Sequence, residues 1–271
     1  MDNKDNPLIA PAPREVPLPN APLVRVIARV NFPAVVSIGK AEFVGPFQEA
    51  LRASYPVLRP DQTVGFFLPV APVITPGAAG AQTTWRFSDT SGAWRVSLAT
   101  NFLALETTAY TSRADFVNRL RVVVEALEEH VNPQVIDRIG VRYIDRISGE
   151  ALKDLPKYVR QEVIGILATA AGRHVQHAMS ESLFDLPNKK GQLLARWGHL
   201  PQNATVDPAA IEAIDQASWI LDLDMFSVAS RPFSSKSVVN EVSEYAERIY
   251  TFFRWAVTDD FLKLYGGRVW I

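Results

Sequence analysis

The sequence predicts an α+β fold in which antiparallel sheet meanders carry long helices packed on one face, and it leaves open a duplication into two similar halves. Apolar and polar residues alternate in short runs bounded by turn residues, which is the period of half-buried strands. Two long stretches instead repeat apolar residues at helical spacing. The strands also come in consecutive groups and do not alternate singly with helices, which disfavours a parallel nucleotide-binding sheet. At 271 residues and 48% hydrophobic, the chain can bury a substantial core. The reading divides it into a flexible Pro-rich arm at 1–21, an N-terminal α+β half at 22–150 and a C-terminal α+β half at 151–271.

The arm carries Pro7, Pro11, Pro13, Pro17 and Pro19 with little apolar periodicity, which favours extended or unpacked chain. A strand follows at 23–32, with Val24, Val26, Ala28, Val30 and Phe32 on one face and Arg25, Ile27, Arg29 and Asn31 on the other. Pro33 ends it. Residues 42–54 read as a helix closed by Tyr55-Pro56, 63–68 as a strand, and 69–81 as a surface loop. Strands at 83–88 and 93–99 flank a turn of Asp89-Thr90-Ser91-Gly92, and 101–108 completes a meander. Trp85, Phe87, Trp94, Val96 and Leu98 are its buried face, opposite Arg86 and Arg95.

Ser112 opens an amphipathic helix carrying Phe116, Leu120, Val123, Val124 and Leu127, which ends near His130 before Pro133. The strand at 137–147 places Arg138, Arg142 and Arg146 on one side and Tyr143 and Asp145 on the other. In the second half the pattern predicts a helix at 156–168, a hairpin of 174–184 with 191–198, and a strand at 218–228. The longest helix spans 235–257, and a last short one runs from Thr258 to Gly266-Gly267. Aromatic residues crowd this end, among them Trp255 and Trp270.

Function is less legible. With no cysteine there is no disulfide, thiolate metal site or cysteine nucleophile, and a net charge of −1 argues against general nucleic-acid binding. Neither a membrane span nor a signal peptide is visible, so the expected protein is soluble and cytoplasmic. The chain carries no dinucleotide fingerprint, phosphate loop, nucleophile elbow or zinc-protease motif, and no cofactor is expected.

What stands out is the set of strand arginines. Guanidinium groups suit phosphate or carboxylate, so Arg138, Arg142 and Arg146, followed by Arg25 and Arg29, are the candidate ligand-binding residues. The competing reading pairs them internally with Glu106, Asp145, Asp222 and Asp224. Asp222 and Asp224 share one side of their strand, and with Glu106 they are the candidate set for a divalent cation. His174 and His177 point to opposite faces if their segment is a strand.

Residues 22–33, 101–110, 138–147 and the closing Ala256-Val257-Thr258-Asp259-Asp260 together resemble a sporadically distributed family of uncharacterised bacterial proteins, over residues 20–265. The family has no established activity, so the resemblance gives no residue a catalytic role. Sporadic distribution implies an accessory gene of defence or toxin neutralisation. The leading expectation is therefore a non-catalytic bacterial binding protein that engages a protein partner or an anionic, phosphate-bearing small molecule, antitoxin-like or defence-accessory. The alternative is a metal-assisted phosphohydrolase or nucleotide-processing enzyme with an arginine-lined sheet. Single-stranded nucleic-acid binding ranks last, because Tyr143 faces away from the arginines of its own strand.

Overall fold

Alternation in the run from Val135 to Ser148 makes the longest strand of the first half, and the rest of the sheet assembles around it. The computed structural model describes residues 6–63, 82–187 and 190–268. In chain order the elements are β1 (Leu23–Asn31), α1 (Ala41–Leu51), β2 (Val57–Thr63), β3 (Gln82–Ser88), β4 (Trp94–Ala99), β5 (Phe102–Thr107), α2 (Arg113–His130) and β6 (Val135–Ser148). They continue with α3 (Glu150–Lys153), α4 (Leu155–Tyr158), α5 (Gln161–Ile164), β7 (Ala178–Asp185), β8 (Gln192–Leu200), β9 (Ser218–Pro232), α6 (Ser235–Ala256) and α7 (Asp259–Leu264). The predicted loop at 69–81, residues 64–68 of the predicted strand, and Trp270 lie outside the described residues.

The nine strands form one antiparallel sheet in the order β2-β3-β4-β5-β1-β6-β9-β8-β7. Two meanders, β3-β4-β5 and β7-β8-β9, flank the central β1–β6 pair, and each is followed in the chain by a long helix. The boundary near residue 150 does not separate two cores, since β6 pairs with β9 along most of its length. A single cluster of buried residues unites Val26, Leu105, Phe116, Val141, Trp219, Leu223, Ile249 and Phe252 from both sides of that boundary.

The helix signals act as written. Ser112 Oγ accepts from the Asp115 amide at 3.1 Å to start α2, and Thr258 Oγ1 accepts from the Phe261 amide at 3.3 Å to start α7. Gly266, at φ +84, ends α7 in the left-handed region. In α6, the residues buried against the core are Val238, Val239, Val242, Tyr245, Ala246, Ile249, Thr251, Phe252, Phe253 and Ala256, one apolar stripe joined by a polar Thr251.

Three expectations change. The helix read at 156–168 is broken into short pieces, because Val159 bridges to Val257 and the Arg160 amide donates to the Ala256 carbonyl at 2.9 Å, pulling the chain onto the end of α6. The strand read from His174 begins at Ala178, and His174 ends a 3-10 turn. A register shift between Leu23 and Arg25 sends Leu23 to the main core and Val24 to a second cluster with Ile27, Ile144 and Ile220, so Val24 does not share a face with Val26.

The arm read as flexible is docked over residues 6–21. A proline-rich strip has few amide donors, but its carbonyls remain good acceptors, and α6 supplies the donors. Arg248 Nη1 donates to the carbonyls of Pro7 and Ala10 at 3.1 and 2.7 Å, and the Tyr250 hydroxyl accepts from the Val16 amide at 2.8 Å. Glu15 pairs with Arg113, and Leu8, Val16 and Leu18 pack on the core. Replacing Arg248 with Ala should therefore cost about 1.5–3 kcal/mol in urea denaturation, the worth of hydrogen bonds from a charged donor. Hydrogen exchange should accelerate across residues 6–18 in that variant, and unchanged exchange there would contradict the docking.

Candidate functional site

Pleating and register bring the strand arginines to one wall. Arg25 and Arg29 on β1 lie on the same face as Arg95 on β4, as Arg138, Arg142 and Arg146 on β6, and as Arg196 on β8. Among the described residues, four carboxylates stand within ion-pairing distance of these seven arginines: Glu106, Asp222 and Asp224 on the strands and Asp207 from the connection between β8 and β9.

The wall divides into three groups. In the first, Arg142 is 5% exposed and grips Asp222, which is fully buried, through two parallel bonds: Nε to Oδ1 at 2.7 Å and Nη2 to Oδ2 at 2.8 Å. Its Nη1 donates to Asp207 at 2.7 Å, and Arg196 Nη2 reaches Asp222 at 2.7 Å. Burial opposes the charge on Arg142, but the bonds and charges of Asp222 and then Asp207 outweigh it and raise its pKa. Two cations here meet two anions. Asp207 is carried in by residues 201–217, which lay Ala210 and Ile211 over Ile144 and Ile220.

The second group holds Arg25 and Arg95 on either side of Glu106, with Arg25 Nη1 donating at 2.9 Å. In the third, Arg138 Nη2 donates to Asp224 at 3.1 Å, while among the described residues Arg29 has only the amide oxygen of Asn31, at 3.1 Å, within hydrogen-bond reach. Arg29 stacks 3.9 Å from the ring centre of Phe102, and Arg138 lies 4.6 Å from that of Phe226. Gly140 makes room for this arrangement, since a Cβ there would lie 2.7 Å from Arg138 Nη1. Burial, and next the like charge of Arg138, pull the Arg29 guanidinium down to about 10. Burial also raises the Asp224 carboxyl, against the pull of Arg138 and Arg142. The Arg29 shift marks a place where positive charge is held without a full set of counter-charges, and the Asp224 shift reports the burial of its carboxyl. In the second group two guanidiniums share Glu106; in the third Asp224 pairs with Arg138 and acts on Arg29 only through its charge.

The sequence-read candidates therefore separate. Arg138 and Arg29 come together, Arg25 belongs to the neighbouring group, and Arg142 has its donors directed inward. Arg146 stands apart, with Nη2 donating to the Glu212 carbonyl at 2.6 Å. The proposed metal trio does not converge. Glu106 on β5 is separated from β9 by β1 and β6, roughly 14 Å at ~4.8 Å per strand, and all three acids are engaged by guanidiniums. Among the described residues, no three His, Cys, Asp or Glu side chains are grouped to hold a metal ion. Asp145, named among the arginines' internal partners, lies on the other face and meets none of them. The sequence reading missed Asp207, Phe102 and Phe226; Asp207-Pro208 is a turn signal but carries no hint of where the turn lands.

No protein-family model and no curated protein matches the chain. No described helix is long and apolar enough to cross a membrane.

The difference between the groups sets an expectation for stability. Arg142→Ala leaves Asp222 and Asp207 buried with too little counter-charge and should cost about 3–5 kcal/mol in urea denaturation. Arg146→Ala removes a partly exposed bond to a carbonyl and should cost under about 1 kcal/mol. Equal effects would contradict the assignment of Arg142 to the interior.

Proposed function

We propose that this chain is a non-catalytic binding protein whose arginine wall takes a phosphate-bearing small molecule. The observation that carries the reading is the Arg29–Arg138 pair, in which Asp224 is ion-paired to Arg138 and Arg29 is bonded only to the Asn31 amide oxygen among the described residues. Stacking on Phe102 and Phe226 fixes the planes of the two guanidiniums and leaves N–H edges to spare, the geometry in which arginine binds phosphate oxygens with little further ordering. Arg25 and Arg95 extend the positive strip across β1, β5 and β4, which favours a ligand with more than one anionic group. In this reading the long helices back one face of the sheet and leave the arginine face to the ligand. A cytoplasmic, defence-accessory setting rests on composition and on the family resemblance.

Calorimetric titration with inorganic pyrophosphate at low salt tests the reading. The wild type should bind saturably, with affinity falling as salt rises. Arg29→Gln and Arg138→Gln should each weaken binding tenfold or more while the protein stays folded. Gly140→Ala, which displaces the Arg138 head without removing its charge, should weaken it by less. Absence of saturable binding, or affinity unchanged in both arginine variants, would overturn the proposal.

A further inference from the structure

The other face of the sheet holds a second site of opposite character. A partly open cavity of about 190 Å³ is lined by the arm at Glu15–Leu18, the turn before α2 at Tyr110, strands β6 and β9, and α6 at Tyr250 and Phe253. At the liquid share of ~30 Å³ per water it has room for about six waters, the scale of a small organic molecule. Asp145 opens onto it from β6, set between Leu23 of β1 and Leu221 of β9. Asp145 is only 7% exposed, and no hydrogen-bond donor or cation among the described residues pairs with its carboxyl.

An unpaired carboxyl in an apolar wall is costly, and folded proteins pair or neutralise such groups. The neighbouring charges do not serve it: Arg113 is engaged by Glu15 and Glu247. Apart from Glu15, Thr111, Ser112 and Arg113, the rest of the wall is aromatic and aliphatic. Tyr110 and Tyr143 meet edge to face with ring centres 5.4 Å apart, and Leu223 and Ile249 complete the lining. One unmatched anion in an aromatic box is the complement of a single positive charge on an apolar body.

We propose that this cavity binds a small organic ammonium ion, whose N–H groups pair with Asp145 while its hydrocarbon part fills the space between the tyrosines and α6. The site is independent of the arginine wall, because the alternation of β6 directs Asp145 and Arg146 to opposite faces. The arm forms one side of the cavity, and its docking on Tyr250 and Arg113 holds that side in place.

Binding should depend on pH through Asp145, whose carboxyl is pushed up to about 7 by burial. The other titratable groups facing the cavity are Glu15 and Arg113, tied to each other, Tyr250, whose hydroxyl accepts from the Val16 amide, and Tyr110 and Tyr143, both raised by burial. Tyr265, outside the cavity lining at the end of α7, is raised by burial and next by the charge of Asp145. An ammonium ion needs the ionised carboxylate, so affinity should rise about tenfold per pH unit below 7 and level off above it.

The test is calorimetric titration of the full chain with benzylamine and with its neutral isostere benzyl alcohol. The proposal expects saturable one-to-one binding of benzylamine, at least tenfold weaker binding of the alcohol, and loss of the preference in Asp145→Asn. The pH profile of the wild type from 5 to 8 provides a readout that needs no variant. No saturable binding of benzylamine, equal affinity for the alcohol, or a flat pH profile would each overturn it.

Discussion

The bidentate grip of Arg142 on Asp222 is the interaction around which this sheet is organised. It ties β6 to β9 at the join between the first six strands and the last three. It also draws Asp207, and with it residues 201–217, onto the sheet face. A buried pair of this kind contributes little net stability compared with apolar packing of the same volume, but it tolerates no loss of one partner. It also fixes register: a slip of one residue between β6 and β9 would turn Arg142 and Asp222 to different faces.

Once Asp222 and Asp207 have answered Arg142 and Arg196, the remaining positive charge falls toward the middle of the sheet. Glu106 serves two arginines, and Asp224 pairs with Arg138 and acts on Arg29 only through its charge. The depressed Arg29 expresses that imbalance, shifted first by burial and then by the like charge of Arg138, whereas Asp224 is raised by burial against the pull of Arg138 and Arg142. A wall whose purpose was internal pairing alone would need more carboxylates than this one carries. The uneven distribution distinguishes the Arg29–Arg138 pair from Arg142, although both lie on the same strand face.

Much of this was legible in the alternation of residues. The spacing of Arg138, Arg142 and Arg146 sets them on one side of β6 and Asp145 on the other, and the stripe from Val238 to Ala256 gives α6 almost to the residue. Which acid meets which arginine was not legible, because it depends on β1 lying beside β6 and β6 beside β9, an order no local pattern encodes. The shift at Leu23 escaped for a related reason: a single extra residue inverts a face without altering composition. The arm was misread because proline content reports the lack of donors in the segment itself and is silent about donors that α6 offers from far along the chain.

The most direct measurement of the central claim is a guanidinium-edited nitrogen NMR titration with pyrophosphate, following the Nε–H signals of Arg29, Arg138 and Arg142 in one sample. If charge is spare at the first two and spent at the third, the Arg29 and Arg138 signals will move together to saturation while that of Arg142 stays fixed. Movement of Arg142, or stationary signals from Arg29 and Arg138, would contradict the account.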